Sequence, residues 1–111
     1  IVSPALTQGN SVVRVQTILD DVKKTNIKKI ICERFKNECS LAIKVFTAES
    51  GLNPKAVGDS GKSIGLAQIN YVHWKKVTCD LFEPTCNIDL AKRIRDSSGW
   101  GAWTVYKLGI Y

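Results

Sequence analysis

The chain has no methionine, a single histidine (His73), three prolines and no long apolar run. Each shortage excludes something. No window approaches the roughly 18 apolar residues that cross a bilayer, so no membrane span is expected. One histidine, with no Cys-x-x-Cys knuckle, leaves no ordinary zinc ligand set, so neither a metal nor a cofactor is expected. Internal repeats and low-complexity tracts are absent too. Methionine is missing even at the first position, Ile1, which fits a mature product or an excised piece whose export signal has been removed.

The 111 residues, 44% hydrophobic and 23% charged, have the composition of a soluble globular protein and suffice for one core but not two. Sixteen Lys and Arg against ten Asp and Glu give a formal charge of +6, which favours an anionic partner. The basic residues Lys23, Lys24, Lys28, Lys29, Lys36, Lys75, Lys76, Arg93 and Arg95 are scattered, not interleaved with aromatics along one stripe. With no nucleic-acid motif beside them, nucleic acid is not the expected partner. The four cysteines form two pairs of equal spacing, Cys32 with Cys39 and Cys79 with Cys86. Two small disulfide loops are the simplest reading, although four cysteines permit three connectivities. Disulfides imply an oxidising compartment, so a secreted, periplasmic or cell-envelope location is expected.

Residues 1–24 carry weak signals: a polar lead with Ser3-Pro4, then Val12, Val13, Val15 and Ile18, assigned no function. The domain is expected over 25–111. From Thr25 or Asn26 as N-cap, Ile27, Ile30, Ile31 and Phe35 recur at helical spacing as far as Lys36-Asn37. Residues seven apart on one helix lie about 10 Å apart along its axis, so a Cys32–Cys39 bond requires a break, which Lys36-Asn37 can supply. A second helix is predicted over Leu41 to Ser50 and a loop over residues 51–64. A third helix is predicted with Asn87 as its cap, Ile88, Ala91 and Ile94 inward, Arg93 and Arg95 outward, and Ser97-Ser98-Gly99 at its end. A last short helix is expected from Trp100 to Leu108, with Trp100, Trp103 and Tyr106 on one side.

Glu49 is the acid that stands out. Ala42, Val45 and Phe46 mark the apolar face of the second helix, and four positions beyond Val45 is Glu49. A carboxyl at the edge of an apolar face loses hydration of its charged form, which raises its pKa and keeps a proton available near neutral pH. Gly51 can take a left-handed cap and Asn53-Pro54 forbids continuation, leaving Glu49 at the mouth of a turn.

The stretch AESGLNPKAVGDSGKSIGLAQIN, Ala48 to Asn70, resembles the central motif of the lysozyme-like superfamily, most closely its SLT-type lytic transglycosylases. The shared elements are Glu49-Ser50, Asn53-Pro54, a glycine-rich loop, and Gly65, Leu66, Gln68 and Ile69, in one order and spacing. With the late helices the likeness spans roughly residues 27 to 108. It implies a mainly α (α+β lysozyme-like) fold, a compact helical domain with a substrate cleft and a short loop or β-hairpin region at about residues 55–70. It also implies Glu49 as catalytic acid, Gln68 with Ser63 and Asn70 as glycan-binding residues, and Tyr106 as an aromatic facing the acid. The implied partner is the peptidoglycan strand, cut by a monomer at the β-1,4 bond between N-acetylmuramic acid and N-acetylglucosamine.

Animal-type lysozymes, which share the Glu-Ser start, carry an Asp two places before the motif glycine, where this chain has Ser63. Asp59 is the only acid between Glu49 and Gln68, and its turn setting suggests a cap or rim residue. A missing second carboxylate favours the transglycosylase route, in which Glu49 serves as acid and then as base. A hydrolytic lysozyme of the same fold, a non-catalytic wall-binding module and a membrane-active basic protein are the alternatives.

Overall fold

The computed structural model describes residues 4–111, with side chains described for residues 14–75 and 77–111. The polar lead at Ser3 and any packing of Val12 and Val13 lie outside the described residues. Helix α1 spans Pro4–Phe35, so it begins far upstream of the expected cap at Thr25 or Asn26. The reason lies in burial. Residues 14–26 are exposed throughout, including Val15, Ile18, Leu19 and Val22, so this half of the helix has no core face to betray it. Burial starts at Ile27 and recurs at Ile31 and Phe35, the positions from which a helix was legible.

The chain breaks where the cysteine spacing required. Lys36 adopts φ 51°, a tight 3₁₀ turn covers Lys36–Glu38, and Cys32 bonds to Cys39 across it with the Cα atoms 4.6 Å apart. Helix α2, Cys39–Ser50, begins two residues before the expected Leu41 and buries Ala42, Val45 and Phe46. Gly51 closes it at φ 64°, its N–H donating to the Thr47 carbonyl at 2.8 Å. That left-handed geometry is what a glycine cap accommodates without a Cβ clash.

Three two-residue strands follow: β1 (Val57–Gly58), β2 (Ser63–Ile64) and β3 (Ile69–Asn70). They form an antiparallel sheet in the order β1-β2-β3, within the region read as a loop or hairpin. The register aligns Gly58, Ser63 and Asn70 in one row and Val57, Ile64 and Ile69 in the next. Side chains paired across antiparallel strands share a face. One row therefore presents Ser63 and Asn70 together.

Helix α3 runs over Pro84–Ser98, and its N-cap is Glu83 rather than Asn87. The Glu83 carboxylate accepts from the Thr85 N–H at 2.9 Å and the Cys86 N–H at 3.0 Å, and Pro84 fits the first turn because that turn has no intrahelical acceptor for its N–H. The Cys79–Cys86 disulfide ties the preceding loop to this turn, Cα to Cα 6.1 Å. Ile88, Leu90, Ala91 and Ile94 form the buried face. Arg93 is exposed, but Arg95 is half-buried, its Nε 2.7 Å from Glu38 Oε1. The expected last helix is split into a 3₁₀ turn, Trp100–Ala102, and α4, Thr104–Leu108, because Trp103 between them is extended at φ −103°, ψ 122°.

The core sits between α1, α2 and the Trp100–Trp103 segment. Phe46 packs against Phe35, Trp100 and Trp103 at centroid distances of 5.5, 6.0 and 5.8 Å. Phe46 is fully buried, and truncating such a ring costs about 3–5 kcal/mol. The helix carrying Glu49 is thus fixed from one side by aromatic packing. Among the described residues, no helix is long and apolar enough to cross a membrane.

Candidate active site

A buried chain segment leads to Gln68 and Ile69, which line a cleft with Glu49. Gly65, Leu66 and Ala67 are buried but belong to no helix, so their peptide groups need partners from elsewhere. Side chains from surrounding elements supply them. Asn87 of α3 donates from Nδ2 to the carbonyls of Ile64 and Leu81, each at 2.9 Å, and its Oδ1 accepts from the Ala67 N–H at 2.9 Å. Trp103 Nε1 donates to the Ala67 carbonyl at 2.9 Å, and Trp74 Nε1 to that of Ile69 at 3.0 Å.

Ser50, the neighbour of Glu49, donates to the Leu66 carbonyl at 2.7 Å. Glu-Ser and Gly-Leu-x-Gln are therefore two ends of one connection. The serine joins the end of the acid's helix to that buried segment. Close approach also fixes Gly65: its φ is +79°, and a Cβ there would strike Asn87 Nδ2 and come within 2.6 Å of the Leu81 carbonyl oxygen.

Glu49 opens onto a cleft of 490 Å³ lined also by Asp59, Ser63, Gln68, Asn70, His73, Ile94, Trp103 and Val105 among others. The carboxyl is half-buried, and its pKa is raised above the ordinary 4.5, first by loss of hydration and second by the negative charge of Asp59. Apolar walls from Ile94, Trp103 and Val105 disfavour the charged form, and Asp59 adds like-charge repulsion. Asp59 is itself fixed: Ser63, only 2% exposed, donates from Oγ to Asp59 Oδ2 at 2.5 Å. Among the described residues no group of three or more His, Cys, Asp or Glu is disposed to hold a metal ion.

The expected site residues do not all converge. Ser63, Gln68 and Asn70 line the cleft with Glu49. Gln68 Nε2 is engaged with the carbonyls of Ala56 and Gly65 at 3.2 and 3.1 Å, and Asn70 Oδ1 accepts from the Val72 N–H at 3.3 Å. Both side chains therefore brace the loops as well as bordering the cleft. Tyr106 does not line the cleft. Its ring stacks on Trp100 at 6.2 Å and on Tyr111 at 5.5 Å, so aromatic packing holds it instead. Trp103 and Trp100 are core residues, 5% and 6% exposed. Two contributors carried a weak sequence signal. Ser50 was visible only as part of the Glu-Ser pair, and Asp59 was read from its turn setting as a cap or rim residue, its bond from Ser63 being invisible in the sequence.

A helix-end acid in a half-buried cleft, backed by a small antiparallel sheet inside a helical domain, defines a lysozyme-like domain. Comparison with family models agrees: the family described as "Lysozyme like domain" matches residues 34–105, and the chain belongs to it. The matched span contains Glu49 and every residue that lines the cleft. At the level of that family the chain is a peptidoglycan-acting glycosidase domain. Nothing matches it among the curated proteins or the solved structures.

Proposed function

We propose that this domain is a lytic transglycosylase that cleaves the β-1,4 bond between N-acetylmuramic acid and N-acetylglucosamine, with Glu49 as general acid and then general base. The observation that carries this reading is the environment of Glu49: a half-buried carboxyl at the wall of a cleft, its pKa raised from the ordinary 4.5 by loss of hydration. Protonated Glu49 gives its proton to the glycosidic oxygen as the C1–O4 bond breaks. The substrate's N-acetyl oxygen meets the positive charge developing at C1. The C6 hydroxyl of the same muramyl residue then closes on C1, and its proton returns to the Glu49 carboxylate. An oriented nucleophile within one sugar can reach an effective molarity of about 10⁵ M or more, which removes the need for a held water.

On this reading Ser63, Gln68 and Asn70 contact the glycan, while Tyr106 stacks on Trp100 and Tyr111 outside the cleft lining. The active domain corresponds to residues 25–111, works as a monomer and operates outside the cytoplasm, where both disulfides persist. The net charge of +6 suits an acidic wall. A hydrolytic outcome is the second reading, favoured by the presence of Asp59 in the same cleft.

Digestion of purified peptidoglycan followed by mass spectrometry separates the two. Anhydromuropeptides are expected, and exclusively reducing ends would rule out the transglycosylase. Glu49→Gln keeps the shape and removes the proton. Parental turnover by that variant would end the assignment of Glu49 in either reading and leave a wall-binding or membrane role to be considered.

A further inference from the structure

We propose that Asp59, gripped by the Ser63 hydroxyl, is a positioning residue for the proton of Glu49, so that the site works with two carboxylates of unequal role. The inference rests on the reading of Glu49 as acid and base. Three observations carry it. Asp59 and Glu49 line one cleft. Asp59 sits at the turn between β1 and β2 with φ 52°, followed by Ser60 at φ 56°, a backbone conformation uncommon for residues with a Cβ and maintained only where the surroundings impose it. Finally, the Ser63 hydroxyl, buried in the row that faces the cleft, spends its single proton on Asp59 Oδ2.

That hydrogen bond matters because Asp59 is otherwise exposed. An untethered carboxylate on a turn would swing into solvent, where water and salt screen its charge. Held by Ser63, it stays beside the cleft as a fixed anion. A fixed anion favours the neutral form of a neighbouring acid, so Glu49 keeps its proton to higher pH. After that proton has left, the same anion makes the Glu49 carboxylate a stronger base, which the second half-reaction requires to accept the C6 hydroxyl proton.

The other groups around Glu49 do not reproduce this effect. From the segment after β3 the cleft receives His73, whose protonation would act in the opposite sense. From α3 it receives Ile94, and from residues 102–105 Ala102, Trp103, Thr104 and Val105, none of them an acid. Burial remains the larger cause of Glu49's proton retention, so removing Asp59 moves the titration of Glu49 part of the way and does not abolish it.

The test is the pH–rate profile of the full chain on purified peptidoglycan for parental protein, Asp59→Asn, Asp59→Glu and Ser63→Ala. Asp59→Asn is expected to move the alkaline limb to lower pH. Its rate should be close to parental at acid pH and fall about tenfold per pH unit once beyond the displaced limb. Asp59→Glu, which keeps the charge, restores the limb, and Ser63→Ala moves it in the same direction by less. In Asp59→Asn, a loss of equal size at every pH, or an unmoved limb, overturns the proposal. If Asp59→Asn fails to fold by circular dichroism, the position of the alkaline limb in Ser63→Ala decides alone, since loss of its glycan contact lowers the rate at every pH without moving that limb. Glu49→Gln keeps the two ideas apart: an inactive Glu49→Gln with an unmoved limb in Asp59→Asn sinks only the positioning role, whereas an active Glu49→Gln sinks the acid assignment beneath it.

Discussion

Replacing Asn87 with alanine should be among the most damaging single changes in the domain, although Asn87 does not touch the cleft. The side chain is 1% exposed and makes three hydrogen bonds, two as donor to the Ile64 and Leu81 carbonyls and one as acceptor from the Ala67 N–H. Alanine leaves all three backbone groups without that partner, the Ala67 N–H and the Leu81 carbonyl in a buried place and the Ile64 carbonyl in a part-buried one. Each such group costs about 1–3 kcal/mol, the orphaned N–H toward the upper end and carbonyls toward the lower, because a carbonyl has a second lone pair for another donor. A loss of about 3–5 kcal/mol follows, a large part of the roughly 5–15 kcal/mol that holds a domain folded.

Urea denaturation followed by tryptophan fluorescence is a suitable assay, since Trp103 donates to the Ala67 carbonyl and reports on the same segment. The midpoint should fall with little change in slope. Asn87→Asp supplies the diagnostic. At neutral pH it keeps the acceptor for Ala67 but aims a charged oxygen at two carbonyls, so it should be at least as damaging as alanine. Lowering the pH should recover part of the loss, because a protonated carboxyl regains one donor. A loss below about 1 kcal/mol for Asn87→Ala, against the cost expected for orphaned buried groups, or identical alanine and aspartate variants at every pH, would refute the clamp.

Gly65→Ala should also destabilise by several kcal/mol through its positive φ and the contact with Asn87 and Leu81. Combined with Asn87→Ala, which removes one of the colliding atoms, its cost should be less than additive in a double-mutant cycle. Replacing both Cys79 and Cys86 by alanine opens a short loop, and chain entropy gives a loss of about 2.5 kcal/mol, readable as the difference in unfolding free energy from the parent. Glu49 and Glu38 should give opposite pH trends. A carboxyl raised in the fold, as Glu49 is, binds more protons folded than unfolded, so its contribution falls as pH rises through the ordinary 4.5 toward the raised value. Glu49→Gln should therefore be more stable than the parent at neutral pH and lose that advantage below about pH 4. Glu38 is lowered, chiefly by its close ion pair with Arg95 and also by the hydrogen bond from Trp100, so its contribution is present above the ordinary value and disappears as pH falls. Glu38→Gln should melt below the parent at neutral pH and approach it in acid; parallel trends for the two variants would contradict both assignments.

Legibility in the sequence followed the presence of a repeating burial pattern. Ala42, Val45 and Phe46 announced their helix, Ile27, Ile31 and Phe35 the second half of α1, and the cysteine spacing announced a break at Lys36. Residues 14–26 of α1 are exposed throughout and stayed silent for that reason. Asn87 was read as a cap because Asn commonly caps helices. What excluded it was tertiary: three backbone groups from residues 64, 67 and 81 converge on its side chain, while Glu83 caps in its place. Tyr106 followed Trp100 and Trp103 at the expected spacing, but a three-residue period cannot distinguish a ring facing the acid from one stacked on Trp100 and Tyr111.

The site joins two kinds of residue that the motif prints side by side. Ser50, Gly65 and Gln68 satisfy or avoid backbone atoms, and their identities follow from geometry: a hydroxyl to reach the Leu66 carbonyl, no Cβ against Asn87, an amide to bridge Ala56 and Gly65. Glu49 obeys the opposite rule, since its burial opposes its ionised form. Ser63 stands between the two groups. Its hydroxyl looks like the place where a second acid is missing, yet its bond to Asp59 brings a carboxylate to the cleft from four residues upstream. An acid read as acting alone is therefore held ready by a backbone framework on one side and by a tethered charge on the other.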